Sequence, residues 1–348
     1  MSALICGSFA FDTILKFPGA FKDHVIQEEI DILNVCFMSP SMRREFGGCA
    51  GNIAFNLNLL SGEGAPMGTV GKDFQTYSDW MDSCGISRDY VVVIQTEYTA
   101  QAFITTDVDD NQITSFHPGA MNNAHANRIP EKNGITLGVI SPDGREGMIM
   151  HAEQFNTLNV PFIFDPGQGL PMFNKEDLLL FIDQATWLIV NDYEFKMMCE
   201  TTELSKKDLM QRVEALIITK GANGSIICTQ NETIEIQQVS TESAIDPTGC
   251  GDAYRGGLIY GLMNDMDWKT IGNISSLMGS IKVESAGTQN HQLSFEEFSK
   301  KFQSIFGYSF LQSNVAAGSM PMIGISRSWI SFNRFTFRLA SFLKASSD

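Results

Sequence analysis

The 348-residue chain is predicted to be an α/β protein, a mostly parallel sheet covered by helices on both faces, with a separate β-hairpin. Two observations carry that prediction. Short apolar runs alternate with helix-like segments along most of the chain, the pattern of strands buried on both faces. Outside that alternation, two β-prone runs, 99–106 and 112–116, flank Asp107, Asp109, Asp110 and Asn111, which reads as a hairpin around an acidic turn. At roughly 150 residues per domain, the length admits two domains or one large α/β domain with an insertion.

Taken in order, residues 4–6 form an apolar strand entering Gly7-Ser8. Residues 13–46 are irregular, with strand-like pieces at 14–17 and 32–37. After Gly47-Gly48 a helix spans 50–60, because Ile53, Ala54, Leu57 and Leu60 share one face. Strand 66–70 and helix 74–84 follow. Beyond the hairpin come strand 136–140, helix 145–154, strand 161–165, helix 175–184, strand 187–191, helix 193–199 and strand 215–219. Residues 224–229 and 233–236 read as a second hairpin, and 252–301 as mainly helical.

The last segment, 308–348, differs in kind. It carries Arg327, Arg334, Arg338 and Lys344 against Asp348 alone, and 313–324 is rich in small residues. Trp329, Phe332, Phe335, Leu339 and Phe342 fall on one helical face, while Phe335, Phe337 and Leu339 alternate equally well as a strand. It reads as a poorly ordered extension rather than a membrane-surface or partner-docking helix.

Composition narrows the function. With 24 basic against 40 acidic residues the formal charge is −16, which argues against nucleic acid or an anionic membrane surface as partner. Hydrophobic residues at 43% and charged residues at 18% describe an ordinary soluble chain. The seven cysteines are odd in number and form no CxxC, which fits free thiols in a reducing cytoplasm better than disulfides or zinc. No signal sequence and no apolar run of membrane-spanning length is present, so no membrane span is expected.

The strongest chemical signal is Asp246-Pro247-Thr248-Gly249-Cys250-Gly251-Asp252, a glycine turn running directly into a helix. Gly249 and Gly251 let the backbone approach a ligand and aim N–H groups at it, and the helix N-terminus adds positive partial charge. A carboxylate at Asp252 serves equally as an N-terminal cap, but a cap does not require both glycines. An anion cradle beside a carboxylate is what phosphoryl transfer to a hydroxyl needs. The chain has no GxxxxGK[ST], no GxGxxG after a strand, no HExxH and no GxSxG.

The segment 246–257 resembles the C-terminal signature of the ribokinase-like (PfkB) carbohydrate and nucleoside kinases. The remaining motifs of that family follow in order: Gly47-Gly48 with Asn52, Asn191 with Glu194, and Thr219-Lys220-Gly221. The resemblance covers residues 1–307 and implies a three-layer sandwich with a β-sheet lid from about 13–46 and 98–117. It implies ATP and Mg²⁺, with Asp252 as base and the 249–251 turn as anion hole, the Cys250 N–H included. It implies that Asp12 grips vicinal hydroxyls, helped by Ser8, Gly47, Gly48 and the Asn52 amide. Asn191 and Glu194, the latter through water, would organise Mg²⁺. Thr219, Lys220, Gly221 and Gly287 would border the nucleotide, Gly221 through its backbone more than Lys220 through its side chain. Asp165 ends a strand on the same sheet edge. Phe103 and Phe116 are lid aromatics that either stack on a base or simply pack.

The strings 42–57, 98–107 and 110–121 resemble bacterial-type adenosine kinases, which implies ATP + adenosine → AMP + ADP at the 5′-hydroxyl. A ribokinase- or fructokinase-like sugar kinase, and a catalytically silent nucleoside- or sugar-binding regulator on the same fold, are the alternatives. Monomer and homodimer both remain open.

Overall fold

The computed structural model describes residues 2–24, 35–109, 111–131 and 134–311. One compact unit runs Met1–Tyr308; a second runs Ser309–Asp348, of which 309–311 are described. The tail beyond residue 311, Asp110 of the hairpin turn, and residues 32–34 lie outside the described residues.

The first strand, β1 (Ser2–Cys6), sits inside a nine-stranded sheet. On one side it pairs in parallel with β4 (Gly64–Gly71), which pairs in parallel with β5 (Tyr90–Ile94). On the other it pairs in parallel with β8 (Ile135–Ile140). Then come β9 (Phe162–Phe164), β10 (Trp187–Asn191) and β11 (Ala215–Thr219), all parallel. The antiparallel hairpin of β12 (Ser225–Thr229) and β13 (Thr233–Ile236) closes that edge. Leu188, Ile189 and Val190 are consecutive and all fully buried, so both faces of this sheet are covered.

Nine helices of the described residues supply that cover. On one side α3 (Arg145–Thr157), α4 (Lys175–Gln184), α5 (Asp192–Thr202) and α6 (Lys206–Arg212) send Phe155, Phe181, Met198 and Leu209 into a core with Leu4, Ile140, Phe164 and Leu216. Phe164 and Phe181 stack at 4.3 Å between ring centroids. The other helices are α1 (Cys49–Leu59), α2 (Gln75–Cys84), α7 (Cys250–Met263), α8 (Trp268–Val283) and α9 (Phe295–Phe306). Among these, α1 and α8 both pack on α7.

The second sheet has four strands in the order β3-β2-β6-β7. Its members are β2 (Ala10–Lys16), β3 (Ser41–Gly47), β6 (Ala100–Thr106) and β7 (Gln112–His117). The hairpin expected at 99–116 is β6–β7, but β2 and β6 run parallel, so this sheet is mixed. Residues 35–37 form no strand; the strand of that region is β3, further along. Only Gly7, Ser8 and Phe9 separate β1 from β2, so the two sheets meet at the end of β1.

Strand addition reverses at β1, whose neighbours are β4 and β8. In open α/β sheets the crevice outside the strands' carboxyl ends, at such a reversal, is where ligands bind. Just beyond β8 lies Asp143, 1% exposed, with one carboxyl oxygen accepting from the Gly144 N–H at 2.9 Å. Its other oxygen has no partner among the described residues, and burial raises its pKa to about 8. The folded value lies above the unfolded one, so stability should fall as pH rises from about 4 through about 8. Asp143→Asn should remove that dependence and be the more stable protein at pH 8.5 by roughly 1–3 kcal/mol, because the amide carries no charge to bury. Melting curves at pH 5 and 8.5 check this; parallel shifts in both proteins would count against it.

Candidate active site

Carboxyl ends of five parallel strands, two helix N-termini and one face of the small sheet enclose a cavity of about 880 Å³. Ser8 follows β1, Pro142 follows β8, Asp165 follows β9, and Asn191 and Thr219 end β10 and β11. Gly48, Cys49 and Asn52 come from the start of α1, and Gly249, Cys250, Gly251 and Asp252 from the start of α7. The small sheet contributes Ala10, Asp12, Ala102, Ile104, Thr114 and Phe116. These lie on one face, since Asp12 pairs with Ala102, Ala102 with Phe116 and Ile104 with Thr114.

Period-two alternation then decides between the lid aromatics. Phe103 pairs with Thr13 and Ser115 on the opposite face, so it stands outside the cavity that Phe116 lines. Lys220 also lies apart from it. It lines a separate polar recess with Asn223, Ser225 and Gln237, while its neighbours Thr219 and Gly221 reach the main cavity. Gly287 is not a lining residue either: its N–H donates to Asp246 Oδ2 at 2.9 Å, and the next residue, Thr288, lines the wall. Gly47 acts from behind. A Cβ there would stand 2.7 Å from Asp12 Oδ2, so glycine leaves room for that carboxylate.

Asp252 occupies the first turn of α7 and accepts from Asn52 Nδ2 at 2.8 Å. Burial is the main cause of its pKa rising to about 6, against the lowering effect of Asn52 and Arg255. Asp12 is likewise pushed up to about 6 by burial, then by Glu45 and Asp246. Asp12 also raises the Asp252 pKa, so the two carboxyls belong to a shared set of charges. Two carboxyls poised just below neutral pH in one cavity are suited to accept protons.

The anion turn differs from its expected form in one N–H. Cys250 donates to the Pro247 carbonyl at 3.1 Å, whereas no acceptor among the described residues faces the N–H groups of Gly251 and Asp252. Those two are first-turn donors with no acceptor in their own helix, and they join the positive end of its dipole. Burial pushes the Cys49 and Cys250 thiols up, so both line the wall as neutral groups.

Asn191 and Glu194 form a capping box on α5. The Asn191 side chain accepts from the Glu194 N–H at 2.7 Å, and the Asn191 N–H and Nδ2 each donate to Glu194 at 2.8 Å. Burial raises the Glu194 pKa. Ser8 similarly serves a helix start, its hydroxyl accepting from the Cys49 N–H at 3.2 Å.

Several supporting residues were not singled out from sequence. Arg255, three residues after Asp252, forms a buried two-pronged ion pair with Asp165 and also donates to the Gly251 carbonyl at 3.0 Å. Gln289, 2% exposed, fixes the Asn52 amide. Its Nε2 donates to Asn52 Oδ1 at 2.9 Å and to Tyr77 Oη at 2.7 Å, while its Oε1 accepts from Trp80 Nε1 at 2.8 Å. The Asn52 amide is thereby oriented with its NH₂ toward Asp252. Gln289→Leu should let that amide turn, shift the acid limb of kcat/KM upward and lower kcat by roughly tenfold, the worth of a hydrogen bond to a charged group. An acid limb in the same place would sink this role.

Residues 34–294 match the description of pfkB family carbohydrate kinases. The chain belongs to that family. The PfkB kinases are phosphotransferases with alcohol acceptors, and this chain is one of them. A Burkholderia thailandensis nucleoside kinase solved in complex with inosine is 49% identical, with a TM-score of 0.81, over 88% of this chain and 99% of that one. A crystal structure of Methanocaldococcus jannaschii nucleoside kinase, an archaeal member of the ribokinase family, is 29% identical with a TM-score of 0.80, covering 87% and 98%. The Saccharomyces cerevisiae adenosine kinase is more distant, 22% identical over 288 residues, 74% of this chain and 83% of its own. The large mostly parallel sheet with its separate small sheet is thus the ribokinase fold of a PfkB kinase. No helix of the described residues is long and apolar enough to cross a membrane.

Proposed function

We propose that this PfkB kinase moves the γ-phosphoryl group of ATP to the 5′-hydroxyl of a purine nucleoside, with adenosine and inosine as acceptors. The observation that carries the reading is the Asp252 carboxylate, held by Asn52 at the open N-terminus of α7 and facing an apolar lid surface across the cavity. Support for a nucleoside over a bare sugar comes from that surface: Ala102, Ile104, Phe116 and Met121 suit a flat base. The 49% identity to a nucleoside kinase bound to inosine supports it further.

In this reading Asp252 takes the 5′-hydroxyl proton as the oxygen bonds to the γ-phosphorus. The bond from that phosphorus to the bridging oxygen breaks, and ADP leaves. The N–H groups of Gly251 and Asp252 face the charge spread over the transferring oxygens. Asp12 accepts from the ribose hydroxyls.

Glu194 and Asn191 are the residues that fit Mg²⁺. Glu194 lines the cavity with lone pairs beyond those its capping bonds use. Among the described residues no group of three or more His, Cys, Asp or Glu could hold a metal, which suits an ion whose other ligands are waters and phosphates. When bound, Mg²⁺ supplies charge neutralisation at the phosphates.

ADP release from Mg-ATP with adenosine, inosine, ribose and fructose offered separately tests the reading. Both nucleosides should exceed both sugars in kcat/KM by about 100-fold or more, since a site built around a base loses that binding with a bare sugar. Turnover with a sugar and none with a nucleoside would overturn the acceptor. Asp12→Ala should raise KM for the nucleoside by roughly tenfold with kcat changed much less, as expected for lost hydroxyl contacts. An unchanged KM removes Asp12 from that role.

A further inference from the structure

The reaction above leaves one buried charge without a task. Lys282, in the last turn of α8, is 0% exposed. Its Nζ lies 2.7 Å from the Asp246 carbonyl oxygen and 3.1 Å from that of Ser285. These two carbonyls belong to two different segments. Asp246 opens the anion turn, and Ser285 opens the loop that brings Thr288 to the cavity wall. The Asp246 carboxylate ties the same segments from its other end, accepting from the N–H groups of Gly287 and Thr248, each at 2.9 Å.

A buried ammonium is an expensive way to tie two loops, because each unit of charge taken from water costs several kcal/mol, far more than a neutral donor costs. Negative charge from Asp246 and Asp252, the carboxylates that begin and end the anion turn, offsets part of that cost, while burial and the Arg43 cation still lower the ammonium's pKa. The ammonium thus sits where it holds the turn's lead-in and adds fixed positive charge beneath it.

We infer that Lys282 is a positioning residue: its ammonium is an internal cation that clamps the 246–251 turn to the 284–288 loop and keeps the turn shaped for phosphate. The inference rests on the phosphoryl-transfer reading above. Removal of the side chain should leave two converging carbonyls and room for a small cation in its place. Lys282→Ala should therefore lower kcat by about tenfold or more with KM for the nucleoside changed far less. Methylammonium chloride should restore much of that loss, while tetramethylammonium chloride at equal ionic strength should not. Lys282→Met, which fills the space without charge, should lose activity and gain nothing from methylammonium.

ADP affinity by calorimetry should follow the same pattern in the absence of turnover, with a loss in Lys282→Ala that methylammonium reverses. It separates the two ideas: a wild-type protein inert toward every acceptor fails the function, whereas the ADP titration still reads the clamp. Where Lys282→Ala melts below the assay temperature, Lys282→Met takes its place, and wild-type kcat and ADP affinity in it would overturn the clamp. So would a folded Lys282→Ala whose loss methylammonium leaves untouched, or one that both cations restore equally.

Discussion

Asp252→Asn should lower kcat by about 10²–10⁴-fold, the range of a lost general base, while nucleoside affinity survives. The side chain keeps its size and its neighbour Asn52, so the turn and the ribose side of the cavity are undisturbed. What disappears is the acceptor for the 5′-hydroxyl proton. The wild-type acid limb of kcat/KM should lie near pH 6, where both Asp252 and Asp12 titrate, and should carry the signature of more than one proton. Below that limb Asp252 is protonated and cannot accept. His291, held near 4 by burial and Lys282, stays neutral throughout and leaves the limb to the carboxylates. Retention of near wild-type turnover in Asp252→Asn would assign the proton to another group.

Arg255→Met should destabilise the fold by roughly 3–5 kcal/mol, the usual consequence of stripping one partner from a buried ion pair. Among the described residues Asp165, 1% exposed, would keep only the Ser141 hydroxyl at 2.9 Å as a side-chain partner. Arg255→Lys should not rescue it, because a point-charge ammonium cannot reproduce the two-pronged fork. The double variant Asp165→Leu/Arg255→Met should recover much of the stability, since an apolar pair replaces a pair whose desolvation consumes most of its attraction. Turnover should stay low in the double variant, because Arg255 also braces the Gly251 carbonyl and lowers the Asp252 pKa. Denaturant midpoints for the three variants decide the matter; an unchanged midpoint in Arg255→Met would refute the stabilising role.

The parts of the site legible in sequence are those contained in one short segment. The glycine turn, its carboxylate and the helix that follows occupy 246–257, so spacing alone exposes their chemistry. Arg255 lies in that same segment, yet its partner stands 90 residues away, and only the fold brings them together. Gln289 is further out of reach, acting on Asn52 across 237 residues and on Tyr77 across 212. Period two in the hairpin says that alternate residues share a face but not which face is inward, and so it could not separate Phe103 from Phe116. The inner strands of the main sheet were readable because they are apolar on both sides; its edge strand β5 was not, since Val92 and Val93 are exposed. Strand β3 was not, since Ser41, Met42 and Arg44 are exposed and nothing in their pattern marks a buried face. The helix α6 is only seven residues long and carries little periodicity to detect.

The interior position of β1 bears on how the chain is made. Synthesised before both of its partners, Ser2–Cys6 meets β4 after some sixty residues, but its other edge pairs with β8, at Ile135–Ile140. At a synthesis rate of 5–20 residues per second, that edge waits on the order of ten seconds for its partner. During the wait Leu4 and Ile5, fully buried in the finished protein, border an open row of backbone donors and acceptors. The strand that sets the ligand crevice is thus also one left open to mispairing on the nascent chain, and the yield of active enzyme should respond to translation speed between β4 and β8.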